Sequence, residues 1–382
     1  MAVSFRYAVR TDLGTVRTNN EDSAFASPQL LVLADGMGGH AAGEVASAVA
    51  VRVFAEVDHS AGAELAPEFL RAGRLARRAL FAMSDADPLL ESMGTTLVTV
   101  GSDGDRVSVG HIGDSRVYAL RDGALYQLTT DHTHVQRLID TGELTPERAR
   151  THPYRSMLLK SLDDQPAGPD LDLIEAQIEP GDRVLLCSDG LSDYLEPDVI
   201  GATLMAPDRE QAAADLIEAA LSAGTRDNVT VLVADVVTDD QEPDGRSPDD
   251  APVVVGAAAD GVSLSAEAAA ALRGCLPEVP FDATAPMAGV RGLAAGSGDD
   301  QSSDAAVSEQ TEESAPSSAT SPKTRPTGPT GTATARSETA GAPRGTDPDV
   351  VPVPQTPSSS LPGVLAAAAV VVLVALLYLL LG

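Results

Sequence analysis

The feature that most constrains how this chain can fold is a change in sequence character near residue 238. Up to that point apolar runs alternate with turn signals, which is typical of a folded domain. From residue 239 to 360 the chain is rich in Asp, Glu, Ser, Thr, Pro and Ala, a composition that buries too little apolar surface to fold. We therefore expect a folded domain at 1–238 and a disordered linker at 239–360. Within the linker, the weakly apolar stretch 253–293 favours disorder with local helicity, and the alternative is one short helix around Ala266–Leu272.

The last segment, residues 361–382, contains an uncharged apolar run from Val364 to Leu381. As a helix rising ~1.5 Å per residue, this run spans roughly 27 Å, about the thickness of a bilayer's hydrocarbon core. A buried core helix is the alternative, but a long polar stretch separates the run from the folded domain. The N-terminus has no apolar region of the kind found in signal peptides. We therefore expect a single-pass protein of the cell membrane, with a C-terminal transmembrane helix and a cytoplasmic folded domain.

Composition excludes one class of partner. The chain has 26 basic and 56 acidic side chains, a formal net charge of −30, and only 3% aromatic residues with no Trp. Nucleic-acid binding needs clustered Lys and Arg, and single strands also need aromatic stacking platforms, so we expect no nucleic-acid partner. The two cysteines, Cys187 and Cys275, cannot form a disulfide framework, which is consistent with a reducing compartment.

The apolar pattern of residues 1–238 predicts many short strands and a few helices. The strands cluster as neighbouring hairpins, one of them marked by the turn signal Asp122-Gly123. Helical periodicity appears at 43–57, 67–86 and 209–223. Because strands and helices do not alternate one by one, the pattern disfavours a doubly wound parallel sheet. It favours antiparallel sheets with helices packed outside them.

Acidic residues recur beside apolar runs, and we expect each to lie at the end of a strand: Asp22, Asp35, Asp114, Asp189 with Asp193, and Asp227. A rigid sheet can gather such side chains at one edge, and carboxylate and carbonyl oxygens are the ligands that Mg²⁺ and Mn²⁺ prefer. Gly36 would let the backbone approach an ion and present its carbonyl. Any single Asp-Gly pair is more often only a turn. The residues by themselves leave open whether these carboxylates meet.

Six motifs in a fixed order make the pattern specific. They are Arg17-x-x-Asn20-Glu21-Asp22, Asp35-Gly36-Met37-Gly38-Gly39-His40, Gly94-Thr95-Thr96, Gly113-Asp114-Ser115-Arg116, Ser188-Asp189-Gly190-Leu191 and Asp227-Asn228. In this order they resemble the metal-dependent protein phosphatases of the 2C type, over roughly residues 5–238, and suggest a bacterial membrane-anchored member. The resemblance implies an α+β fold, a four-layer αββα sandwich of two antiparallel sheets flanked by helices. It also implies hydrolysis of phosphoserine and phosphothreonine in proteins by direct attack of a metal-bridged water.

The resemblance also implies roles for the acidic residues. Asp35 corresponds to the carboxylate that bridges two core ions, Mn²⁺ or Mg²⁺, and Gly36 offers its carbonyl to one of them. Asp189 and Asp227 correspond to ligands of the other ion, and Asp22 to a carboxylate that holds metal-bound water. The remaining matches are Glu21 as a supporting acid, Asp114 with Asp189 at a third metal site, and Asp193 as a support of that site.

Two further residues are expected to act on the phosphoryl group. Arg17 would hold two phosphate oxygens with its planar guanidinium. Many relatives have His directly after the metal-binding Asp-Gly, as a candidate acid for the leaving oxygen, but here that position is Met37. The nearest histidine, His40, is either that acid or a structural residue at the start of a helix, and the sequence leaves both open.

The polar stretch 131–160 stands where the family has a flap beside the active site. Arg148, Arg150 and Arg155 make it locally basic, which either guides acidic substrates or reflects a solvated surface.

We expect a monomeric catalytic domain acting on phosphorylated proteins, including membrane-proximal Ser/Thr kinases. The alternatives are a phosphatase in a partner-switching pathway that acts on an anti-sigma-factor antagonist, and an inactive relative that binds phosphoproteins.

Overall fold

The structure is a computed structural model that describes residues 2–39, 42–59, 64–104, 106–238 and 251–276. His40, most of the predicted linker and the apolar run at 364–381 lie outside these ranges. Within them, no helix combines the length and apolar character that crossing a bilayer requires.

The strands follow one another closely along the chain. They are β1 (Val3–Asp12), β2 (Asp22–Ala26), β3 (Leu30–Met37), β4 (Gly94–Thr95), β5 (Leu97–Ser102), β6 (Val107–Ile112), β7 (Arg116–Arg121), β8 (Ala124–Gln127), β9 (Leu162–Asp163), β10 (Asp172–Ala176), β11 (Arg183–Cys187), β12 (Val229–Thr238) and β13 (Val253–Gly256). The helices are α1 (Ala42–Ala55), α2 (Leu65–Ala86), α3 (His134–Asp140), α4 (Pro146–Ala149), α5 (Asp189–Ser192), α6 (Pro197–Leu204), α7 (Arg209–Ser222), α8 (Ala257–Asp260) and α9 (Ala266–Cys275). Short 3-10 turns follow at Glu56–His59 and Pro88–Leu90.

These strands form two antiparallel sheets. One has the order β1-β12-β11-β7-β8, and the other β10-β6-β5-β3-β2-β13, with β4 and β9 added beside β3. The predicted Asp122-Gly123 turn joins β7 to β8, and both residues have positive φ (52° and 79°), as a tight two-residue hairpin requires. The expectation of antiparallel sheets built from hairpins is confirmed.

Three apolar cores separate the layers. The first lies between the sheets and contains alternate residues of facing strands, such as Phe5, Leu33 and Leu232. The second joins α1 and α2 to the outer face of the larger sheet, and the third joins α5, α6 and α7 to the smaller sheet. Helices therefore cover both outer faces of the paired sheets.

The predicted end of the folded domain at residue 238 is wrong. Residues 251–276, expected to be part of the linker, form β13, α8 and α9. β13 pairs with β2 from Val253↔Ala26 to Gly256↔Ser23, and Leu272 of α9 is buried in the core with α2. The segment is Ala-rich with weak periodicity, so its order comes from contacts with distant residues rather than from local pattern. The short helix considered around Ala266–Leu272 is present as α9.

Candidate metal centre

The centre is built where the start of one strand meets the end of the next. Asp22 begins β2 and Asp35 lies near the end of β3, and the antiparallel register places them directly opposite each other. We had expected Asp22 and Asp227 to end strands, but each stands at or just before a strand's first residue. In an antiparallel pair, the start of one strand and the end of its neighbour share an edge, so the carboxylates still meet.

One cavity of about 200 Å³ collects most of the predicted site residues. It is lined by Arg17, Glu21, Asp35, Gly36, Met37, Gly38, Thr96, Asp114, Ser156, Leu158, Asp189 and Asp227. Asp114 comes from the turn between β6 and β7, Asp189 from the first residue of α5, and Asp227 from the loop before β12. Asp22 is fully buried beneath the cavity wall rather than exposed in it. Residues more than two hundred positions apart, such as Arg17 and Asp227, are thus held at one edge of the paired sheets.

Crowding and burial favour the protonated form of the central carboxyl groups. Desolvation raises the pKa of Asp35 well above its usual range, and repulsion from Asp22, Asp189 and Asp114 raises it further. The pKa of Asp189 is raised in the same way, by desolvation and then by Asp114 and Asp193. Such a cluster is stabilised by any cation that neutralises it.

Two neighbouring carboxyl groups show the same effect less strongly. Burial raises the pKa of Asp22 to about 7, although hydrogen bonds from Thr230 and Ser188 oppose the rise. Burial also raises the pKa of Asp114 to about 7. Repulsion from Asp131 and Asp193 adds to the rise, and the positive charge of Arg116 opposes it. A bound cation would offset this cost of burying the charged form.

Arg17 stands at the mouth of the cavity, held between two acids. Its guanidinium donates from Nη1 to Glu21 Oε2 and from Nη2 to Asp227 Oδ2, both at 3.0 Å. About 40% of the Arg17 side chain remains exposed, whereas that of Glu21 is 8% exposed. The arginine is therefore fixed beside the carboxylates and is still accessible to a substrate.

Several residues that hold the site were not assigned a role from the sequence. Thr96 accepts a hydrogen bond from the Asp35 backbone N–H at 3.0 Å and shares one with Ser115 at 2.7 Å. Ser188 donates to Asp22 Oδ2 at 2.9 Å, and the side chain of Asn228 accepts from the Glu21 N–H at 2.8 Å. The only sequence signal for them is their place in the six motifs, next to the charged residues.

Gly36 is required by close backbone packing. A methyl group at this position would lie 2.0 Å from the carbonyl oxygen of Gly43 and 2.6 Å from that of Glu21. Any side chain at this position would push α1, or Glu21 just before β2, away from Gly36. The expected role of Gly36, letting the backbone come close, is consistent with this geometry.

The predicted flap, residues 131–160, borders the cavity through Ser156 and Leu158. Two of the three arginines expected to make it basic already make ion pairs: Arg155 with Asp193 at 3.1 Å and Arg150 with Glu196 at 2.9 Å. Asp193 does not line the cavity, and its pairing with Arg155 links the flap to the end of α5. Cys187 is fully buried, and burial raises the pKa of its thiol to about 12, so it is not a thiolate at neutral pH.

The donor set fits a hard divalent cation. The side chains that face the cavity carry carboxylate oxygens, and Asp22 Oδ1 is a buried acceptor with no hydrogen-bond partner among the described residues. No three His, Cys, Asp or Glu side chains of the described part of the chain converge closely enough to form a complete ligand set by themselves.

The family of this chain follows from its comparison with known proteins. The family model described as protein phosphatase 2C matches residues 16–224, more than half of the chain.

The chain belongs to the protein phosphatase 2C family.

Named relatives of this protein phosphatase 2C chain are bacterial. It is 49% identical over 233 residues to the serine/threonine protein phosphatase PstP of Mycobacterium tuberculosis, covering 61% of this chain and 45% of PstP. It is 34% identical over 237 residues to the serine/threonine phosphatase stp of Listeria monocytogenes, covering 59% of this chain and 94% of that protein. The chain thus spans less than half the length of PstP.

Solved protein phosphatase 2C structures agree with the fold. The catalytic domain of PstP in complex with two manganese ions superposes with a TM-score of 0.57 at 47% identity, covering 62% of this chain and 99% of that domain.

Proposed function

We propose that this chain hydrolyses phosphoserine and phosphothreonine esters in proteins, using Mn²⁺ or Mg²⁺. The observation that carries the proposal is a single cavity that is lined by Asp35, Asp114, Asp189 and Asp227 together with one arginine, Arg17. Relatives named serine/threonine phosphatases, and a PstP structure that holds two manganese ions, support the same chemistry.

The residues that would hold the metal ions are those of the cavity and its wall. Asp35, the Gly36 carbonyl, Asp189 and Asp227 would hold two core ions. The buried Asp22 would support them, and Asp114 with Asp189 would hold a third ion. When bound, paired divalent ions supply Lewis acidity and a water of lowered pKa.

The chain's own groups bind and orient the ester. Arg17 would place two phosphate oxygens against the carboxylate cluster, because its planar fork matches them. Glu21, hydrogen-bonded to Arg17 Nη1, would keep that fork aimed at the cavity. Thr96 and Ser188 would hold Asp35 and Asp22 in place, since each hydrogen-bonds the residue concerned. His40 is proposed to protonate the leaving oxygen or to have a structural role at the start of a helix.

The substrate class can be tested with phosphopeptides of one sequence carrying phosphothreonine, phosphoserine or phosphotyrosine. With Mn²⁺ present, we expect phosphate release from the first two and little from the third, and a chelator should abolish it. Release that continues undiminished in the chelator would contradict the proposal.

We further propose that the run Val364–Leu381 anchors the enzyme to the membrane, on the strength of its length and lack of charge. Anchoring would place the cytoplasmic catalytic domain beside membrane-bound phosphoproteins, such as receptor-type Ser/Thr kinases, and raise its effective concentration on them. Deleting residues 364–382 should move the protein from the membrane fraction to the soluble fraction. A purified, phosphorylated kinase domain that the enzyme leaves unchanged would argue against the kinase partner.

A further inference from the structure

A second cavity, larger than the metal centre's, lies along the outer face of α2. Its volume is about 540 Å³. One wall is a stripe of α2 side chains and the other is the loop at 166–170. The lining residues are Pro67, Arg71, Arg74, Arg77, Arg78, Phe81, Pro166, Gly168 and Asp170. We call this cavity the α2 groove.

The α2 groove is basic in a strongly acidic domain. Residues 1–238 contain 19 basic and 37 acidic side chains, yet four arginines and a single acid line the groove. Arg78 is exposed, and its side chain makes no ion pair or hydrogen bond among the described residues. Local charge of this sign attracts anionic groups that the rest of the surface repels.

Two of the arginines make only exposed ion pairs. Arg74 pairs with Asp170, at 62% and 49% side-chain exposure, and Arg71 pairs with Glu68, at 57% and 22%. Exposed pairs of this kind contribute little to stability, so a carboxylate or phosphate in the groove can replace the partner acids.

A buried arginine gives the groove a fixed shape. The Arg77 side chain is only 6% exposed and donates to Asp163 Oδ1, the Ser161 carbonyl and the Pro169 carbonyl. These bonds fasten the opposite wall to α2. Gly168 packs so closely that an added methyl group would lie 1.9 Å from Arg77 Nη1. Because the walls are already in place, little ordering is needed when a ligand binds.

The α2 groove and the metal centre are linked by contacts through a short strip of sheet. Asp163 of β9, which pairs with the groove residue Arg77, lies opposite Gly94 of β4, and Gly94 lies opposite Met37 of β3, which lines the metal-centre cavity. Two strand spacings separate Met37 from Asp163 by about 10 Å. A protein substrate is large enough to contact the metal centre and the groove at once.

We propose that the α2 groove binds an acidic or phosphorylated segment of the protein substrate, apart from the ester being hydrolysed. The inference rests on the proposed phosphatase function and adds a determinant of its specificity. Guanidinium groups of Arg74 and Arg78 would pair with carboxylate or phosphate oxygens, and Phe81, which is 42% exposed, would offer apolar contact beside them.

The test compares three substrates: p-nitrophenyl phosphate, a phosphothreonine peptide with neutral flanks, and the same peptide with a flanking acidic cluster. The variant is the double charge reversal Arg74→Glu with Arg78→Glu. The matched control is Arg209→Glu at the start of α7, on the other side of the paired sheets. For the acidic peptide we expect KM to rise about tenfold or more in the double variant, with kcat unchanged. The other two substrates and the control variant should be unaffected, and added salt should shrink the difference.

Equal KM for the acidic peptide in the wild type and the double variant would overturn the proposal. Faster turnover of all three substrates by the double variant would also overturn it, because the groove would then be holding an acidic segment of this chain against the enzyme. Failure of the wild type to hydrolyse even p-nitrophenyl phosphate with Mn²⁺ would instead contradict the proposed function.

Discussion

At the scale of single residues, Arg17 is the clearest link between structure and substrate. It is the one cation that lines the metal-centre cavity within the described residues, and two acids fix its orientation. Arg17 can bind a phosphoryl group through the shape of its guanidinium as well as through its charge, because two parallel N–H groups can donate to two phosphate oxygens.

Replacing Arg17 separates these two contributions. Arg17→Lys keeps the charge and loses the fork, so kcat/KM for a phosphothreonine peptide should fall about tenfold, and Arg17→Ala should lower it about a hundredfold. Thermal melts and the Mn²⁺ concentration dependence serve as controls that the fold and metal binding persist. Unchanged kcat/KM in Arg17→Ala would rule out a role for Arg17 in binding the phosphoryl group.

At the scale of elements, the turn between β6 and β7 carries Asp114 and is held to the flap by histidines. His132 accepts a hydrogen bond from the Gly113 N–H at 3.1 Å and donates its own backbone N–H to the Gly113 carbonyl at 2.8 Å. His111 of β6 stacks on His132 with ring centroids 4.6 Å apart, and burial, aided by repulsion from His132, lowers the pKa of His111 to about 3.

This lowered pKa predicts a pH-dependent contribution of His111 to stability. Unfolding returns its pKa to about 6.5, so the unfolded chain binds a proton more readily, and stability present above pH 6.5 is lost as the pH falls towards 3. At pH 5 the loss amounts to about 2 kcal/mol.

Urea unfolding of the wild type and His111→Asn at pH 7 and pH 5, in chelator, measures this contribution. Between these pH values the free energy of unfolding should fall by about 2 kcal/mol less in the variant. The raised pKa values of the cavity carboxyl groups act in the opposite direction, but they act equally in both proteins. An identical fall in the two proteins would show that His111 is not kept neutral by folding.

The elements differ in how far the sequence predicts them. Strands such as β11 and β12 can be predicted because their apolar runs end in clear turn signals. β2 is harder to predict: its five residues are all buried, so no alternation marks it, and only Phe25 is large and apolar. The charged site residues were identifiable because six motifs repeat a known order, whereas Thr96 and Ser188 are ordinary hydroxyl residues whose contacts exist only after folding.

At the scale of the whole molecule, the acidic character of the chain has more than one origin. Some of the acidic residues form the carboxylate cluster, and three others pair with arginines of the α2 groove. The folded domain also extends beyond the predicted boundary, because β13, α8 and α9 add a strand and an α2-packing helix that come from low-periodicity sequence. The weak hydrophobic periodicity of this segment does not predict its structure, because the segment is ordered by burial against distant elements.

The central claim is that the carboxylate cluster, loaded with divalent cations, performs phosphoester hydrolysis. The most direct measurement is Mn²⁺-dependent phosphate release from a phosphothreonine peptide by the wild type, Asp35→Asn and Asp122→Asn. Both variants change an Asp-Gly pair, but Asp122 lies in the exposed β7–β8 turn, where Asn readily adopts the positive φ. We predict that Asp35→Asn lowers the rate by about a thousandfold or more while Asp122→Asn retains wild-type activity. Wild-type activity in Asp35→Asn would contradict the account.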